Sequence, residues 1–383
     1  MTTTPGAPGS PRPVPSTPRA PAATAPLVAR TPEDVLAMVP AVLGFTPTQS
    51  VAMLTLGAAR AFHARVDLPT AAQLAQEPDG LTEMVDLLRQ PCVRHRVRAV
   101  LLVVFSDDEH TALAARRALV PAFRGSGMEV VDVLRADGRR WWPMLRRHPG
   151  APAWGVPYDV SEHPFVAQTV LAGKVTHPTR EDLDRSLDPG PAEVAAHARV
   201  ACLVAQGPLA PRGDTPAELV EAMALRDLLL DHHVDGTLPD PEEVARLLLA
   251  LRSPRLRDLA CALVERREAA AWAELWRGVL RLTPPELVVG PATVTAFCAW
   301  LAGEGALAWC ALDRALAVDP DHSFAGLVGG LLTAAVPPAA WDAPGGPGRS
   351  DLIALLEEIE ELEELDRRGE LDDDPDAGRD HGW

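Results

Sequence analysis

The stretch between residues 97 and 134 constrains the fold most, because it predicts a strand, a helix and a second strand in succession. Residues 97–105 are almost continuously apolar and rich in valine and leucine, which is typical of a strand buried on both faces. A helix is predicted over 109–123, and an apolar strand over 128–134 follows a Gly-Ser-Gly turn. This spacing predicts a right-handed parallel crossover within a sheet.

A leading helix and two more strands complete the predicted front domain. Residues 31–34 read Thr-Pro-Glu-Asp, which combines a hydroxyl cap, a proline and two acids and so predicts a helix start; Gly44 ends that helix. Strands are predicted over 50–56 and 60–68, with a turn between them. We therefore expect an α/β domain with a mixed sheet over residues 27–150.

The chain beyond a proline-rich boundary at 148–160 predicts only helices. They are expected over 164–172, 180–187, 191–206, 216–233, 241–251, 255–266, 269–282, 291–303, 306–318, 323–335 and 351–368. We expect an all-helical domain over residues 155–368. Within it, residues 269–335 hold two helices that echo each other at a spacing of 36 residues and resemble a tetratricopeptide repeat.

Charge is distributed unevenly along the 383 residues, whose net charge is −17. Residues 30–150 hold 15 Arg against 13 Asp and Glu, whereas residues 351–376 hold 13 acids against two Arg. The negative balance therefore comes mainly from one C-terminal segment and does not exclude anion binding by the front domain. The overall negative charge disfavours nucleic acid as a partner, whereas the charge of the front domain does not.

The chain ends and the cysteines indicate the cellular setting. Residues 1–26 contain eight prolines and no apolar signal core, and residues 369–383 are acidic, so both ends are expected to be disordered. The five cysteines are scattered without a Cys-x-x-Cys pair, which is typical of reduced, buried thiols in the cytoplasm. The longest apolar run, residues 99–105, is far too short to span a membrane. We expect a cytoplasmic protein with no membrane contact.

Residues 134–147, the Arg/Trp segment, contain five arginines and two adjacent tryptophans. The candidate ligand-binding residues are Arg135, Arg139, Arg140, Trp141 and Trp142. In one interpretation the arginines clamp a phosphate or carboxylate while a tryptophan stacks on a ring or base. In the other, Asp137 and Gly138 form a hairpin turn, one tryptophan is core, and the arginines pair with acids of the helical domain.

Three acids that follow predicted strands are candidate catalytic residues: Asp67, Asp107 and Asp108. Ligands bind beyond the carboxyl ends of strands in open α/β sheets, where adjacent carboxylates hold Mg²⁺ or act as a base. Asp107 or Asp108 is also the expected cap of the helix that starts near Glu109. Because the histidines show no metal-ligand spacing and no phosphate loop follows a strand, no resident metal or cofactor is predicted.

The predicted helix over 351–368 is acidic and carries an apolar stripe. The stripe consists of Leu352, Leu355, Leu356, Ile359, Leu362 and Leu365. Such a stripe indicates packing, either on the chain's own domain or on a protein partner. The acidic tail is also a candidate shield of the Arg/Trp segment.

Four separated segments together resemble one family. They lie within residues 30–45, 65–69, 134–142 and 299–320, and include Arg-Thr-Pro-Glu-Asp-Val-Leu, Arg-Val-Asp-Leu-Pro and Leu-Arg-Ala-Asp-Gly-Arg-Arg-Trp-Trp. In order and spacing they resemble the actinobacterial family catalogued as domain of unknown function 4192, over about residues 27–342. The resemblance implies a cytosolic actinobacterial protein, and no catalytic residue carries over from it.

Two functional hypotheses of different classes follow. In the first, the chain is a cytoplasmic binding or scaffold protein, whose helical domain contacts a protein partner and whose Arg/Trp segment holds a small anionic ligand. In the second, it is a metal-assisted hydrolase or nucleotidyl-type enzyme that uses Asp67, Asp107 and Asp108 on a phosphorylated substrate. Convergence of Asp67, Asp107 and Arg139 on one pocket favours the enzyme, and divergence favours the binding protein.

Overall fold

The computed structural model describes residues 29–57, 62–70, 73, 79–171, 173–207 and 217–342. The ends predicted to be disordered, 1–26 and 369–383, and the acidic helix predicted over 351–368 lie outside the described residues. Within the described chain, a six-stranded sheet with helices on both faces precedes a region of many helices. The predicted fold class, an α/β domain with a mixed sheet followed by an all-helical domain, is confirmed.

The strands of the sheet are β1 (Ser50–Leu56), β2 (His63–Asp67), β3 (Ala99–Phe105), β4 (Glu129–Ala136), β5 (Arg140–Pro143) and β6 (Val156–Pro157). Their spatial order is β2-β1-β3-β4-β5-β6. β3 and β4 are parallel, which confirms the predicted crossover, and the other neighbouring pairs are antiparallel. Strand β2 forms one edge of the sheet, and β6 forms the other.

Three helices cover the sheet: α1 (Pro32–Leu43), α2 (Gly80–Arg94) and α3 (Glu109–Gly125). Successive side chains of a strand point to opposite faces, and β1 shows how this divides the core. Val51 and Met53 pack with α2 and α3 on one face. Ala52 and Leu54 pack with α1 on the other face. The apolar run of β3 is continuous because both faces of the sheet are covered.

Helix α1 begins where its sequence predicts. The Thr31 hydroxyl accepts a hydrogen bond from the Asp34 backbone N–H at 3.1 Å, and the Asp34 carboxylate accepts one from the Thr31 N–H at 2.8 Å. This reciprocal capping box satisfies two of the backbone donors that a helix N-terminus leaves free. The helix ends at Gly44, whose φ of +80° is accessible to glycine without steric cost.

The second half of the described chain contains α4 (Pro164–Leu171), α5 (Arg180–Arg185), α6 (Pro191–Gln206), α7 (Ala217–Asp235), α8 (Pro241–Ala250), α9 (Pro254–Ala262), α10 (Ala269–Leu282), α11 (Val289–Leu301), α12 (Gly305–Val318) and α13 (Ser323–Thr333). Helix α11 lies at the centre, since every residue from Pro291 to Leu301 is buried. Helices α10, α12 and α13 pack around it. Helix α4 packs instead against α1, beside the sheet.

Backbone contacts tie the front half to the helical half. Residues Phe45 and His177 form an isolated parallel bridge, in which the His177 N–H donates to the Gly44 carbonyl at 2.8 Å. The Phe45 side chain belongs to the core of the helical half. At a second point, His95 Nε2 donates to the Ala334 carbonyl at 2.9 Å. These contacts fix how the edge strand β2 faces the helices.

Candidate functional site

The Arg/Trp segment forms the hairpin of β4 and β5, at the opposite side of the sheet from β2. The carboxylate of Asp137 accepts the backbone N–H of Arg139 at 2.8 Å and that of Arg140 at 2.7 Å. Gly138 has a φ of +87°, as a tight turn of this kind requires. Asp137 and Gly138 therefore form a hairpin turn, as one of the two interpretations of the Arg/Trp segment predicted.

The guanidinium of Arg135 is held inside this part of the fold. Its Nε donates to the Ser106 carbonyl at 3.1 Å, and its Nη2 donates to the Asp107 carbonyl at 2.6 Å. It also lies over the Trp142 ring, 4.4 Å from the ring centre. Only 8% of Arg135 is exposed, so this arginine joins the ends of β3 and β4 rather than facing solvent.

Trp141 and Arg140 are also engaged by the fold, whereas Arg139 is not. The indole N–H of Trp141 donates to Glu33 of α1 at 2.8 Å, and the ring is buried. Arg140 Nη1 donates to the Gly155 carbonyl at 3.1 Å. Arg135 and Arg140 therefore bind backbone carbonyls, and not acids of the helical half as one interpretation predicted. Arg139 is exposed, and within the described residues its side chain has no acceptor.

Asp108 caps helix α3, as one sequence interpretation predicted. Its Oδ2 accepts a hydrogen bond from the Thr111 hydroxyl at 2.6 Å and another from the Thr111 N–H at 2.8 Å. These bonds, the hydroxyl bond first, lower the pKa of Asp108 to about 2. A carboxylate held in this way stabilises a helix N-terminus and is a poor general base at neutral pH.

Asp67 is the last residue of β2, and Asp107 follows β3. Both lie at the same end of the sheet, but these two strands are not neighbours. Strand β1 lies between β2 and β3, which separates the two strand ends by about 10 Å. The amide of Gln49, between them, donates to Asp107 Oδ1 at 3.1 Å. Across the described residues, no three His, Cys, Asp or Glu side chains are grouped so that they could hold a metal ion.

A cleft of about 610 Å³ separates β2 from the helical half, and we call it the interdomain cleft. One wall consists of β2 with residues of α1 and α2, and the other consists of residues of α11, α12, α13 and the Val336–Pro338 segment. Much of the lining is apolar and includes Val42, Phe45, Leu87, Trp300, Trp309 and Leu332. Asp67 lines this cleft, whereas Asp107 and Arg139 do not.

One group of charged residues lies in the cleft. Arg65 Nη2 and Asp67 Oδ1 are 2.5 Å apart, with 13% and 76% of their side chains exposed. Arg180 of α5 bonds to Asp313 of α12 at 2.8 Å. Burial lowers the pKa of Arg180, but the bond to Asp313 and the charges around it, including that of Asp67, raise it above its usual value. Two arginines from the two halves of the molecule thus line one cleft.

His63 adds a neutral polar group to the same face of β2. Residues 63, 65 and 67 alternate along the strand and therefore share a face. Burial lowers the pKa of His63, so its ring is uncharged at neutral pH. Within the described chain, His63 Nδ1 and Arg65 Nε are buried without a hydrogen-bond partner. Buried polar atoms in this state are costly, so this face of β2 has unused capacity for hydrogen bonding.

Of the polar residues in the cleft, Asp67 was predicted from the sequence as a candidate site residue. His63, Arg65 and Arg180 were not predicted. The signal in β2 was available, because His-Ala-Arg-Val-Asp places a polar side chain at every second position of a short strand. Arg180 carries no comparable signal, since it is the first residue of a short helix and lies 115 positions after Arg65. Only the packing of the helical half on β2 brings it to the cleft.

Comparisons with known proteins place the chain in a family. The model of the family described as domain of unknown function (DUF4192) matches residues 32–339. No curated protein and no solved structure matches the chain. In the described part of the chain, no helix is long and apolar enough to cross a membrane.

Proposed function

We propose that this chain, which belongs to the family described as domain of unknown function (DUF4192), is a binding protein whose ligand occupies the interdomain cleft. The observation that carries the proposal is an apolar cleft lined by an arginine from each half of the molecule, Arg65 and Arg180. Its volume of about 610 Å³ falls within the range of small-molecule sites, which are mostly apolar with a few polar groups.

The charge pairs in the cleft favour an anionic ligand. Asp67 is 76% exposed, although Arg65 is only 13% exposed, so water solvates this carboxylate when it leaves the pair. A carboxylate, sulfonate or phosphate that enters the cleft can therefore replace Asp67 beside Arg65 at little cost. Arginine binds such groups with two parallel hydrogen bonds, which a mobile surface aspartate does not need to retain.

The remaining lining specifies the rest of the ligand. Phe45, Trp300 and Trp309 provide aromatic surface, and Leu332 provides aliphatic surface. Burying apolar area contributes about 25 cal/mol per Å², so an apolar body next to the anionic group supplies most of the affinity. We propose that the ligand has an apolar body and one anionic group. Such a ligand is a small molecule or a peptide segment of a protein partner.

Two matched probes test this proposal on the full chain. The first, 1-anilinonaphthalene-8-sulfonate, has an aromatic body with one anionic group, and N-phenyl-1-naphthylamine is its neutral parent. We expect Arg65→Gln to weaken binding of the sulfonate about tenfold, because one charge-assisted hydrogen-bonding group is lost. Binding of the neutral probe should stay unchanged. Fluorescence titration measures both dissociation constants.

The Arg/Trp segment supplies the control, because it is where the sequence predicts the anion. Arg139→Gln removes the exposed arginine of the β4–β5 turn and should leave the affinity for the sulfonate unchanged. If Arg139→Gln weakens the sulfonate and Arg65→Gln does not, the ligand belongs to the hairpin and the cleft proposal is wrong. Equal weakening of both probes by Arg65→Gln would also contradict it, since the arginine would then act only through packing.

The proposal also includes a helical surface for a protein partner, a cellular location and a source organism. Helices α10 to α13 follow one another with short connections and pack around α11, which supports a repeat-like helical surface for a protein partner. We propose a cytoplasmic location from the scattered cysteines, and an actinobacterial source from the family resemblance. The full chain is expressed with a tag, and size-exclusion chromatography of the cell extract tests whether the tagged chain elutes with a partner.

An enzyme that uses Asp67, Asp107 and Asp108 is the alternative of another class. Convergence of Asp67, Asp107 and Arg139 on one pocket is the condition that favours it. In the described chain Asp108 caps α3, and only Asp67 lines the interdomain cleft. The binding function is therefore the one that we propose.

A further inference from the structure

We propose that the chain's own C-terminal segment, residues 351–366, docks into the interdomain cleft and competes with the ligand. This inference rests on the proposed function, because it names what regulates that site. The first observation is that the cleft has apolar walls open to solvent: Leu87 is 54% exposed and Val42 is 37% exposed. Exposed apolar side chains that line one cleft indicate a place that another group can cover.

The described chain borders the cleft six residues before it ends at Asp342, which pairs with Arg266 at 2.5 Å. Val336 lines the cleft, and its carbonyl accepts the indole N–H of Trp300 at 2.9 Å. Five residues further on, the Trp341 ring lies 4.9 Å from the Phe297 ring, one helical turn from Trp300 on α11. The chain therefore leaves the described structure within a few residues of the cleft wall.

The length of the connecting chain allows the segment to reach the cleft. Eight residues, 343–350, separate the last described residue from the segment. An extended chain of that length spans at most about 26–29 Å, and a flexible one spans about 16 Å on average. The sequence of this connection, Ala-Pro-Gly-Gly-Pro-Gly-Arg-Ser, predicts no helix that would direct the segment elsewhere.

The composition of the segment matches the two kinds of surface in the cleft. Its predicted apolar stripe offers leucine and isoleucine side chains to the aromatic and aliphatic walls. Residues 351–366 also hold eight acids and no base, and the two arginines of the cleft are the groups that a glutamate would bind. The segment thus has the same chemistry as the proposed ligand, an apolar body with carboxylates.

Tethering makes even a weak contact effective. A short flexible connection gives an effective concentration of about 1 mM. A contact with an intrinsic Kd of about 100 µM would then fill the cleft in about nine molecules of ten and weaken an external ligand about tenfold. The expected role of the segment is therefore to set a threshold for ligand binding rather than to abolish it.

Variants of the full chain test this inference. Leu355→Asp, Leu356→Asp and Ile359→Asp together remove the apolar stripe, and we expect this stripe variant to bind 1-anilinonaphthalene-8-sulfonate about tenfold more tightly than the unaltered chain. Hydrogen exchange should also accelerate in peptides that cover β2 and residues 331–338. The matched control is Leu371→Asp, Ala377→Asp and Gly378→Asp, which adds the same three charges beyond the segment and should change neither measurement.

The outcomes separate this inference from the proposed function. If the stripe variant, the control and the unaltered chain bind the sulfonate equally and exchange at equal rates, the segment does not occupy the cleft, although the cleft still binds its ligand. If no chain binds the sulfonate, the proposed function fails, and hydrogen exchange alone decides the docking. Equal changes in the stripe variant and the control would show a charge effect without docking and would overturn the inference.

Discussion

The hairpin of the Arg/Trp segment and the interdomain cleft both contain arginines beside aromatic rings, yet they differ in what holds those arginines. In the hairpin, Arg135 is buried, binds two backbone carbonyls and lies over Trp142. In the cleft, Arg65 lies over Phe45, with 5.6 Å from guanidinium carbon to ring centre. Its Nη2 donates to the Thr48 carbonyl at 3.4 Å, a longer bond than either one in the hairpin, and its charged partner is the exposed carboxylate of Asp67.

The difference shows that the partner, more than the arginine, decides whether a site is free to bind. A backbone carbonyl that loses its donor inside the fold remains unsatisfied, whereas an exposed carboxylate that loses its arginine is solvated by water. The hairpin arginine is thus part of the structure, and the cleft arginine can exchange one anion for another.

Replacing the buried hairpin arginine has the largest expected effect. Arg135→Met should lower the free energy of unfolding by about 2–4 kcal/mol, because two carbonyls lose a charged donor in a buried site. Urea unfolding followed by far-UV circular dichroism measures the loss. The control Arg139→Met should stay within about 0.5 kcal/mol of the unaltered chain. Equal losses in both variants would remove the distinction between the two hairpin arginines.

The two tryptophans should differ in the same direction. Trp141→Phe leaves the Glu33 carboxylate without its indole donor in a partly buried site, so we expect a loss of about 1–2 kcal/mol. Trp142→Phe loses only a more exposed bond to the Ala153 carbonyl and keeps a ring for Arg135, so its loss should be below about 1 kcal/mol. Thermal melts of both variants check the order, which a more stable Trp141→Phe would reverse.

His63 makes the cleft sensitive to pH. Burial lowers its pKa in the folded chain below the ordinary value of 6.5, so the unfolded chain binds the proton more readily. Stability is therefore lost as the pH falls from about 6.5 through the lower pKa of the folded state. The melting temperature of the unaltered chain should fall more between pH 7 and pH 5 than that of His63→Gln. His177 and His322 also have lowered pKa values, but they are present in both chains and cancel in the comparison.

Removing the exposed partner in the cleft should change stability least. Asp67→Asn breaks the pair with Arg65 at a solvated position, so the free energy of unfolding should change by less than about 0.5 kcal/mol. The same change frees Arg65 and should tighten binding of 1-anilinonaphthalene-8-sulfonate several-fold. A loss above about 2 kcal/mol would show instead that Asp67 is as much a part of the fold as the partners of Arg135.

The parts of the fold that sequence predicts well are those with strong local signals. The apolar run at 97–105 predicted β3, observed at Ala99–Phe105, and the Asp108 cap with the following periodicity predicted α3. The strand β5, Arg140–Pro143, was not predicted as an element of its own. Its four residues include a proline and two tryptophans without alternation, so only pairing with β4 makes it a strand.

The candidate site was harder to predict than the fold, because its residues are distant in sequence. Arg65 and Arg180 line one cleft only because the helical half packs on the edge of the sheet. The Arg/Trp segment looked more like a binding site because its arginines and tryptophans are adjacent in sequence. Local density of functional residue types does not show which backbone carbonyls will satisfy them. Among the cysteines, the expectation of burial holds for Cys92, Cys261, Cys298 and Cys310, whereas Cys202 is exposed.

The position of β2 at the edge of the sheet has a consequence for self-association. An edge strand presents unpaired backbone groups on which a strand from another molecule can align. The opposite edge, β6, is only two residues long and ends in Pro157, so it offers little template. Strand β2 has five residues and no proline, and the helices across the cleft are what shield it. A chain cut before α5 would lose that shield and should form intermolecular sheets, which thioflavin T fluorescence would report.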